Sequence, residues 1–493
     1  MADPRPRPNI VVILVDDMGY SDLGCYGSEI RTPNLDGMAE RGIRFSQFYI
    51  TPRCCPSRAS LLTGLHPHQA GIGHMVRDWG LPGYRGFLND RCATIAEALR
   101  GAGYRTLMSG KWHVGEERPH WPCDRGFDRY VGLISGASNY WQLSQGRQMA
   151  IDDQPFTPEP DGFYMTDFIT DHAVEMIEQH GPEAEPFFLY VAYTAPHWPL
   201  HAWPEDIERY RGRYRKGWDA VREERLARQI ELGLIEGRWP LSPRDEQAPP
   251  WSDVEDQERR ALMMAVYAAQ IDRMDQGVGR IVAKLRELGI EEDTLVMFMA
   301  DNGGCAEEID RGEPGVPPGP RESYLSYGLP WANASNTPFR LYKHWVHEGG
   351  IATPFIAQWP ARVAGGQLTH ELGQVTDVMA TCLDAAGADY PEELGSQPIQ
   401  PLEGQSLLPV FDGGERDPDR VFYWEHEGNR AVRRGRWKLV SKHPGGWELY
   451  DMAADRTELT DLSGRHPDVA ADLAARYEAW AEPRNVLPWP VEH

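Results

Sequence analysis

Four short apolar runs in this chain each end in a polar cluster, and that repetition constrains the fold more than any other feature. Residues 9–15 run into Asp16-Asp17, and residues 104–108 lead to Gly110-Lys111-Trp112-His113. Residues 186–193 are followed by Thr194-Ala195-Pro196-His197, and residues 294–300 by Asp301-Asn302-Gly303-Gly304. A fifth run covers 353–359. Runs of this length, rich in β-branched and aromatic residues, read as buried strands. Helical periodicity over 93–102, 166–180 and 258–288 falls between them, the pattern of parallel strands joined by crossover helices. The predicted fold class is α/β: a large mixed, mostly parallel sheet flanked by helices, with a smaller C-terminal antiparallel sheet plus helix.

The chain of 493 residues exceeds what one core accommodates. A first domain is expected over 1–386, carrying a charged, Trp- and Pro-rich insertion at 201–251 over one edge of the sheet. A connecting segment at 387–414 leads to a small α+β subdomain at 415–493, where alternation over 421–424, 430–433, 437–441 and 447–451 precedes a helix at 467–481. Asp plus Glu number 74 against 50 Lys plus Arg, a net charge of −24. Such a surface repels nucleic acid and anionic membrane, so neither is expected as a partner. It also requires locally concentrated cations wherever an anion is to bind. The aliphatic run from Ile10 to Val15 is too short to cross a bilayer or to form a signal-peptide core. Seven scattered cysteines show no disulfide framework or paired zinc spacing. The expected location is cytoplasmic.

In an open parallel sheet, ligands bind beyond the carboxyl ends of the strands. Asp16, Asp17, Asp301 and Asn302 there offer hard oxygen ligands, suited to Ca²⁺ or Mg²⁺ rather than zinc. Singly, each acid reads as a helix cap or a solvated turn rather than a ligand; together, unpaired, they would repel, which argues for a cation between them. Lys111 and His113, two apart in an extended segment, face the same way. Lysine neutralises an anionic ester, and histidine orients or protonates near neutral pH. His197 lies between two prolines that fix its backbone, and His201 is expected at the rim. Trp79, Trp112, Tyr140, Trp141, Trp198 and Trp203 are candidates for an aromatic wall or for core packing. Cys54-Cys55-Pro56-Ser57-Arg58, continuing to Thr63-Gly64, reads as a turn entering a helix. Pro56 suits a first helical position, Cys54 the positive helix end, and Arg58 lies one turn further on.

This last segment resembles the signature of the type I sulfatases of the alkaline phosphatase superfamily, Cys-x-Pro-Ser-Arg followed by Thr-Gly. Five further matches follow in family order: Val-Asp-Asp, Gly-Lys-Trp-His, Thr-Ala-Pro-His, Asp-Asn-Gly-Gly, and Thr337-Pro338-Phe339-Arg340-Leu341-Tyr342-Lys343 leading to Glu348-Gly349-Gly350. The likeness is greatest to bacterial arylsulfatases. It implies that a maturation enzyme oxidises Cys54 to formylglycine. One hydroxyl of the hydrated aldehyde attacks sulfur, and the other lets sulfate be expelled with the aldehyde regenerated. It further implies that Asp16, Asp17, Asp301, Asn302 and the modified Cys54 hold one Ca²⁺, with Mg²⁺ or Mn²⁺ as lesser alternatives. Asp301 is then also the general base. Arg58, Lys111 and His113 would position formylglycine, and Lys111, His197 and Lys343 would hold the sulfate oxygens. His344 and His347 read as packing or surface residues. The expected reaction is hydrolysis of small aryl or alkyl sulfate monoesters. The rivals are a formylglycine-dependent phosphonate or phosphate ester hydrolase and a non-catalytic protein binding sulfated ligands.

Overall fold

A computed structural model describes residues 7–491. Residues 1–6 and 492–493, the outer ends of the first and last expected segments, lie outside the described residues. Ten strands form the main sheet: β1 (Asn9–Val15), β2 (Ile43–Tyr49), β3 (Arg105–Gly110), β4 (Arg129–Leu133), β5 (Met149–Ile151), β6 (Gln154–Phe156), β7 (Phe187–Ala192), β8 (Thr294–Ala300), β9 (Ala352–Gln358) and β10 (Gln367–Gln374). Their order is β10-β2-β9-β8-β1-β7-β3-β4-β5-β6. The block β8-β1-β7-β3-β4 is parallel throughout. The predicted fifth strand, β9, instead runs antiparallel to both its neighbours, β8 and β2. The sheet is thus mixed and mostly parallel, as the sequence predicts.

Register makes the strand ends converge. Val15 lies opposite Ala300, Leu14 opposite Ala192, and Ala192 opposite Gly110. The residues that follow, Asp16, Asp301, Tyr193 and Lys111, therefore emerge side by side at one edge. Because β9 runs the other way, the segment before it arrives at that same edge. Both faces of the sheet are covered: Val11, Ile13 and Val15 pack into one core, and Ile10, Val12 and Leu14 into the other. Burial on both sides is why these strands read as continuous apolar runs. The 31-residue helix Gln257–Glu287 packs on the first face.

The insertion also lies on this first face, where Trp218 and Val221 of the helix Gly217–Glu231 join the core. Buried Arg225 ties it down by ion pairs to Asp22 (2.6 Å) and Glu29 (2.8 Å). The 387–414 stretch is no free tether, because Leu407, Leu408, Val410 and Phe411 are buried in the second core. The C-terminal strands Val421–His426, Asn429–Arg434, Trp437–Ser441 and Glu448–Asp451 form an antiparallel sheet in sequence order. The helix Pro467–Ala481 covers it, with Leu473, Tyr477 and Trp480 packed on Val432, Leu439 and Leu449. Glu348, fully buried just before β9, joins this sheet to the main body. It bonds Lys438 (2.9 Å), Arg456 (3.0 Å) and Tyr49 (2.9 Å). Among the described residues, no helix is long and apolar enough to cross a membrane.

Candidate active site

Cys54 reaches the site by a route that the sequence analysis did not find. Strand β2 runs parallel to β10 at the far side of β9, and its carboxyl end feeds Ile50–Arg53 into the helix Cys54–Thr63. That helix starts at Cys54 itself, so Pro56 stands third rather than first, still in the first turn, where its missing N–H costs no intrahelical bond. Ser57 closes the turn by bonding the Thr51 hydroxyl (2.7 Å) and carbonyl (2.9 Å). All ten helix residues are buried, and Gly64 ends the helix in a left-handed conformation. β2 was missed because Arg44, Ser46 and Gln47 interrupt its apolar pattern.

Two glycines explain their motifs sterically. A Cβ on Gly110 would lie 2.0 Å from the Ala192 carbonyl oxygen, and φ there is +120°. A Cβ on Gly303 would lie 1.9 Å from the Gly349 oxygen. The Asp-Asn-Gly-Gly and Glu-Gly-Gly motifs are therefore two sides of one backbone contact, joined by Gly303 N–H to Gly350 O at 3.1 Å. That contact brings Lys343 to the Asp301 end of the sheet.

The structure brings the predicted residues together in one buried network. Lys111 Nζ lies 2.6 Å from Asp16 Oδ2. Arg58 forks onto Asp301 Oδ2 through Nε (3.1 Å) and Nη2 (2.8 Å), and its Nη1 bonds the Lys111 carbonyl (3.0 Å). Asp17, at φ 64°, receives Lys343 Nζ (2.8 Å), Asn302 Nδ2 (2.7 Å) and His197 Nε2 (3.4 Å). The sulfur atoms of Cys54 and Cys55 and a ring nitrogen of His113 lie within 4.8 Å of one another. Cys55, the variable position of the motif, makes the sulfur contact to His113 at 3.3 Å.

Burial pushes Asp16 up, but Lys111 and its neighbouring cations override it and hold the carboxyl at about 2. Burial and the Asp16 charge push Asp301 upward, and the Arg58 fork opposes that push. Burial, reinforced by Lys111, lowers His113 to about 4, so its ring is neutral at physiological pH. A hydrogen bond from Cys55 lowers the Cys54 thiol well below its ordinary value, with Lys111 adding to it against burial.

A hard cation fits the oxygen cluster. Asp16 Oδ1 and Asn302 Oδ1 are buried acceptors without a hydrogen-bond partner, which a metal ion would satisfy. Asn302 spends both amide hydrogens on Asp17 (2.7 Å) and the Gly303 carbonyl (2.9 Å), which leaves its oxygen free.

Several expected residues lie elsewhere. His201 is not at the rim but fully buried, contacting the Ser323 carbonyl and the Tyr140 N–H. The aromatic wall does not form. Trp112 is in the core, Trp141 and Trp203 pack on each other and on Tyr164, and Trp79 stacks on His74 and Tyr84. Tyr140 is buried with its hydroxyl on the Thr194 and His197 carbonyls. Trp198 alone of the six packs against the ring of a predicted site residue, His197, at 4.7 Å. It donates to Glu307 (2.8 Å), which also pairs with Arg53 (3.4 Å). Arg53, Gln247, Cys305, Ala306, Glu307, Lys343 and His344 help line a cavity of about 310 Å³ beside Lys343. Glu307 and Arg53 carried no distinguishing sequence pattern.

Residues 8–388 match the family described as Sulfatase, and residues 339–481 match the C-terminal region described for N-sulphoglucosamine sulphohydrolase. An arylsulfatase of Klebsiella aerogenes is 37% identical over 83% of this chain and 93% of its own. An uncharacterized sulfatase of Schizosaccharomyces pombe is 34% identical over 98% of this chain and 95% of its own. The crystal structure of Ps i-CgsB in complex with k-i-k-neocarrahexaose superposes with a TM-score of 0.74 at 26% identity, covering 96% of this chain and 92% of that one. On the length of these matches, the chain belongs to the sulfatase family of the alkaline phosphatase superfamily, whose members hydrolyse sulfate esters.

Proposed function

We propose that this sulfatase hydrolyses small aryl or alkyl sulfate monoesters, with formylglycine made from Cys54 and one hard divalent cation, Ca²⁺, held by Asp16, Asp17, Asp301 and Asn302. The carrying observation is the meeting of Cys54, three buried cations and two unpartnered buried oxygens at one sheet edge. The aldehyde, once formed, supplies a nucleophilic hydroxyl and a means of releasing sulfate without a second hydrolysis. The cation supplies charge stabilisation and acidifies a nearby hydroxyl.

The chain's own residues do the rest. Lys111 and Lys343 lie against Asp16 and Asp17; with a cation sharing that negative charge, both ammonium groups are available to sulfate oxygens. His197, reaching the same carboxylate, completes the anion cradle and lies where the leaving oxygen can take a proton. Neutral His113 orients the side chain at position 54. Arg58 is a positioning residue, fixing Asp301 and, through a carbonyl, Lys111. Asp301 is the general base. A cavity of about 310 Å³ is at the small end of ligand sites, and its acidic Glu307 disfavours long polyanions.

Mass spectrometry across residue 54, on protein from a maturation-competent host, tests the nucleophile. Trypsin cuts at both Arg53 and Arg58, so another protease is needed. Loss of sulfur with gain of oxygen is expected; a fully unmodified thiol overturns the reading. Kinetics with matched aryl sulfates, aryl phosphonates and a sulfated oligosaccharide test the substrate. Higher kcat/KM on the phosphonate or the oligosaccharide rejects the assignment to small sulfates.

A further inference from the structure

Three sets of metal-capable side chains come together among the described residues, and two belong to the site above. The third has no part in it. His344 Nδ1 lies 3.3 Å from Glu427 Oε2, and His426 Nε2 lies 3.5 Å from Glu427 Oε1. Ligands of a tetrahedral zinc-class ion stand about 3.3 Å apart, from metal–ligand bonds of about 2.0–2.1 Å. The two separations run to different oxygens of the carboxylate, and one ligand atom from each of the three residues lies within 4.8 Å of the others, so a turn of the side chains would close the set round one ion. His74 Nε2, 2.6 Å from Glu427 Oε1, is too close to be a further ligand. It suits the role of a hydrogen-bond partner that orients the carboxylate.

The decisive observation is His426. It is fully buried, yet neither ring nitrogen has a hydrogen-bond partner. Two nitrogens without a hydrogen bond on one inaccessible imidazole need an explanation, and the Glu427 carboxylate, 3.5 Å from Nε2, faces the ring without bonding it. His74 Nδ1 is likewise buried and unpartnered. His344 is held in the left-handed region at φ 93°, a conformation such a residue adopts only when its surroundings impose it. Glu427, at φ 50°, owes the same conformation to the two-residue turn it forms with Gly428 between paired His426 and Asn429. His344 also lines the 310 Å³ cavity beside Lys343, which gives an ion a way in.

We propose that His344, His426 and Glu427 bind a zinc-class divalent ion, with His74 positioning the carboxylate. Two imidazoles and one carboxylate form a borderline nitrogen–oxygen set that prefers Zn²⁺ to Ca²⁺, unlike the all-oxygen set at Asp16 and Asp17. Three protein ligands leave a fourth position for water on the cavity side. His344 comes from the main body and His426 and Glu427 from the C-terminal sheet, so the ion joins the two next to Lys343. This site is independent of the mature nucleophile.

The test uses full-length protein stripped with chelator, returned to excess Ca²⁺, and titrated with Zn²⁺ against a chromophoric chelator. Wild type is expected to bind one Zn²⁺ with Kd below about 1 μM. Glu427→Gln and His344→Gln should each weaken it by about 100-fold, while Asp17→Asn should not. Glu427 sits at a half-buried turn and His344 on a cavity wall, so neither change empties a core. Co²⁺ in place of Zn²⁺ should give the visible spectrum of a four-coordinate site, independent of turnover. Absence of tight Zn²⁺ binding by wild type overturns the proposal. So does a loss smaller than tenfold in either variant.

Discussion

Replacing Arg58 by Met removes a guanidinium that is wholly buried and forked onto Asp301. Without it, the Asp301 carboxyl faces Asp16 in a buried site, with only the weaker pull of Lys111 opposing the upward push of burial. Breaking a buried pair from one side costs about 3–5 kcal/mol. Unfolding a domain of roughly 380 residues carries an entropy of about 0.8 kcal/mol per kelvin. The melting temperature should therefore fall by about 4–6 °C. Asp301→Asn should also destabilise, by stranding Arg58. The double variant removes both charges, so its cost should fall short of the sum by about 1–3 kcal/mol. The sign with pH is fixed as well. In Arg58→Met the folded Asp301 pKa lies above its unfolded value, so stability is retained at low pH and lost as pH rises through the folded pKa. Calorimetry of the four proteins in chelator measures all of this. Additive losses, or a penalty in Arg58→Met that grows on acidification, would refute the argument that this pair is a coupled buried charge.

Lys343→Ala should lower kcat on an aryl sulfate by about 10²–10³-fold, as removal of one anion-stabilising donor does elsewhere. An unchanged kcat would remove Lys343 from the sulfate cradle. Buried His113 sits at about 4 when folded, below the value of about 6.5 expected unfolded. Its contribution is complete above pH 6.5 and is lost as pH falls toward 4, about 3 kcal/mol in all. His113→Gln should flatten the fall in stability over that window, and equal slopes would disprove it. Glu348→Ala leaves Lys438 and Arg456 facing a buried gap and should cost about 3–5 kcal/mol. Limited proteolysis should then cut the C-terminal sheet faster than in wild type; an unchanged rate would show that Glu348 is not its anchor.

What the sequence discloses here depends on how many constraints act on a segment. β1, β7 and β8 are buried on both faces, so all but the entry positions Asn9 and Thr294 are apolar and the pattern is unmistakable. β10 is a half-exposed edge strand of sequence QLTHELGQ, and β5 and β6 have three residues each; none carries a periodic signal strong enough to see. The site was legible because its residues follow those central strands directly, and strand direction does the rest. Asp16, Asp17, Lys111, His197, Asp301 and Asn302 all come together as their places in the chain imply. The aromatic wall failed for the opposite reason. Tryptophan fills cores and lines pockets alike, and no neighbouring residue told the two apart. His201 shows the same ambiguity. Two positions after cis-Pro199, its ring turns inward to the Ser323 carbonyl, which no local pattern announced.

The −24 surface and the buried centre answer one problem together. An anionic ester approaching this protein meets a repulsive field at long range, weakened by salt over about 8 Å. Attraction must therefore come from groups close enough to act inside that screening length. Asp16, Asp17 and Asp301 are matched one for one by Lys111, Lys343 and Arg58. A divalent cation held there, as proposed above, would add two positive charges, the charge of a sulfate dianion with its sign reversed. Arginine and lysine divide the work by geometry. Arg58 is fully spent, with all three of its nitrogens committed to Asp301 and a carbonyl. The two lysines each present a rotatable ammonium with hydrogens to spare. A lysine at position 58 would lose the fork that fixes Asp301. The division proposed above, rigid cation to scaffold and mobile cations to ligand, follows from the shapes of the side chains themselves.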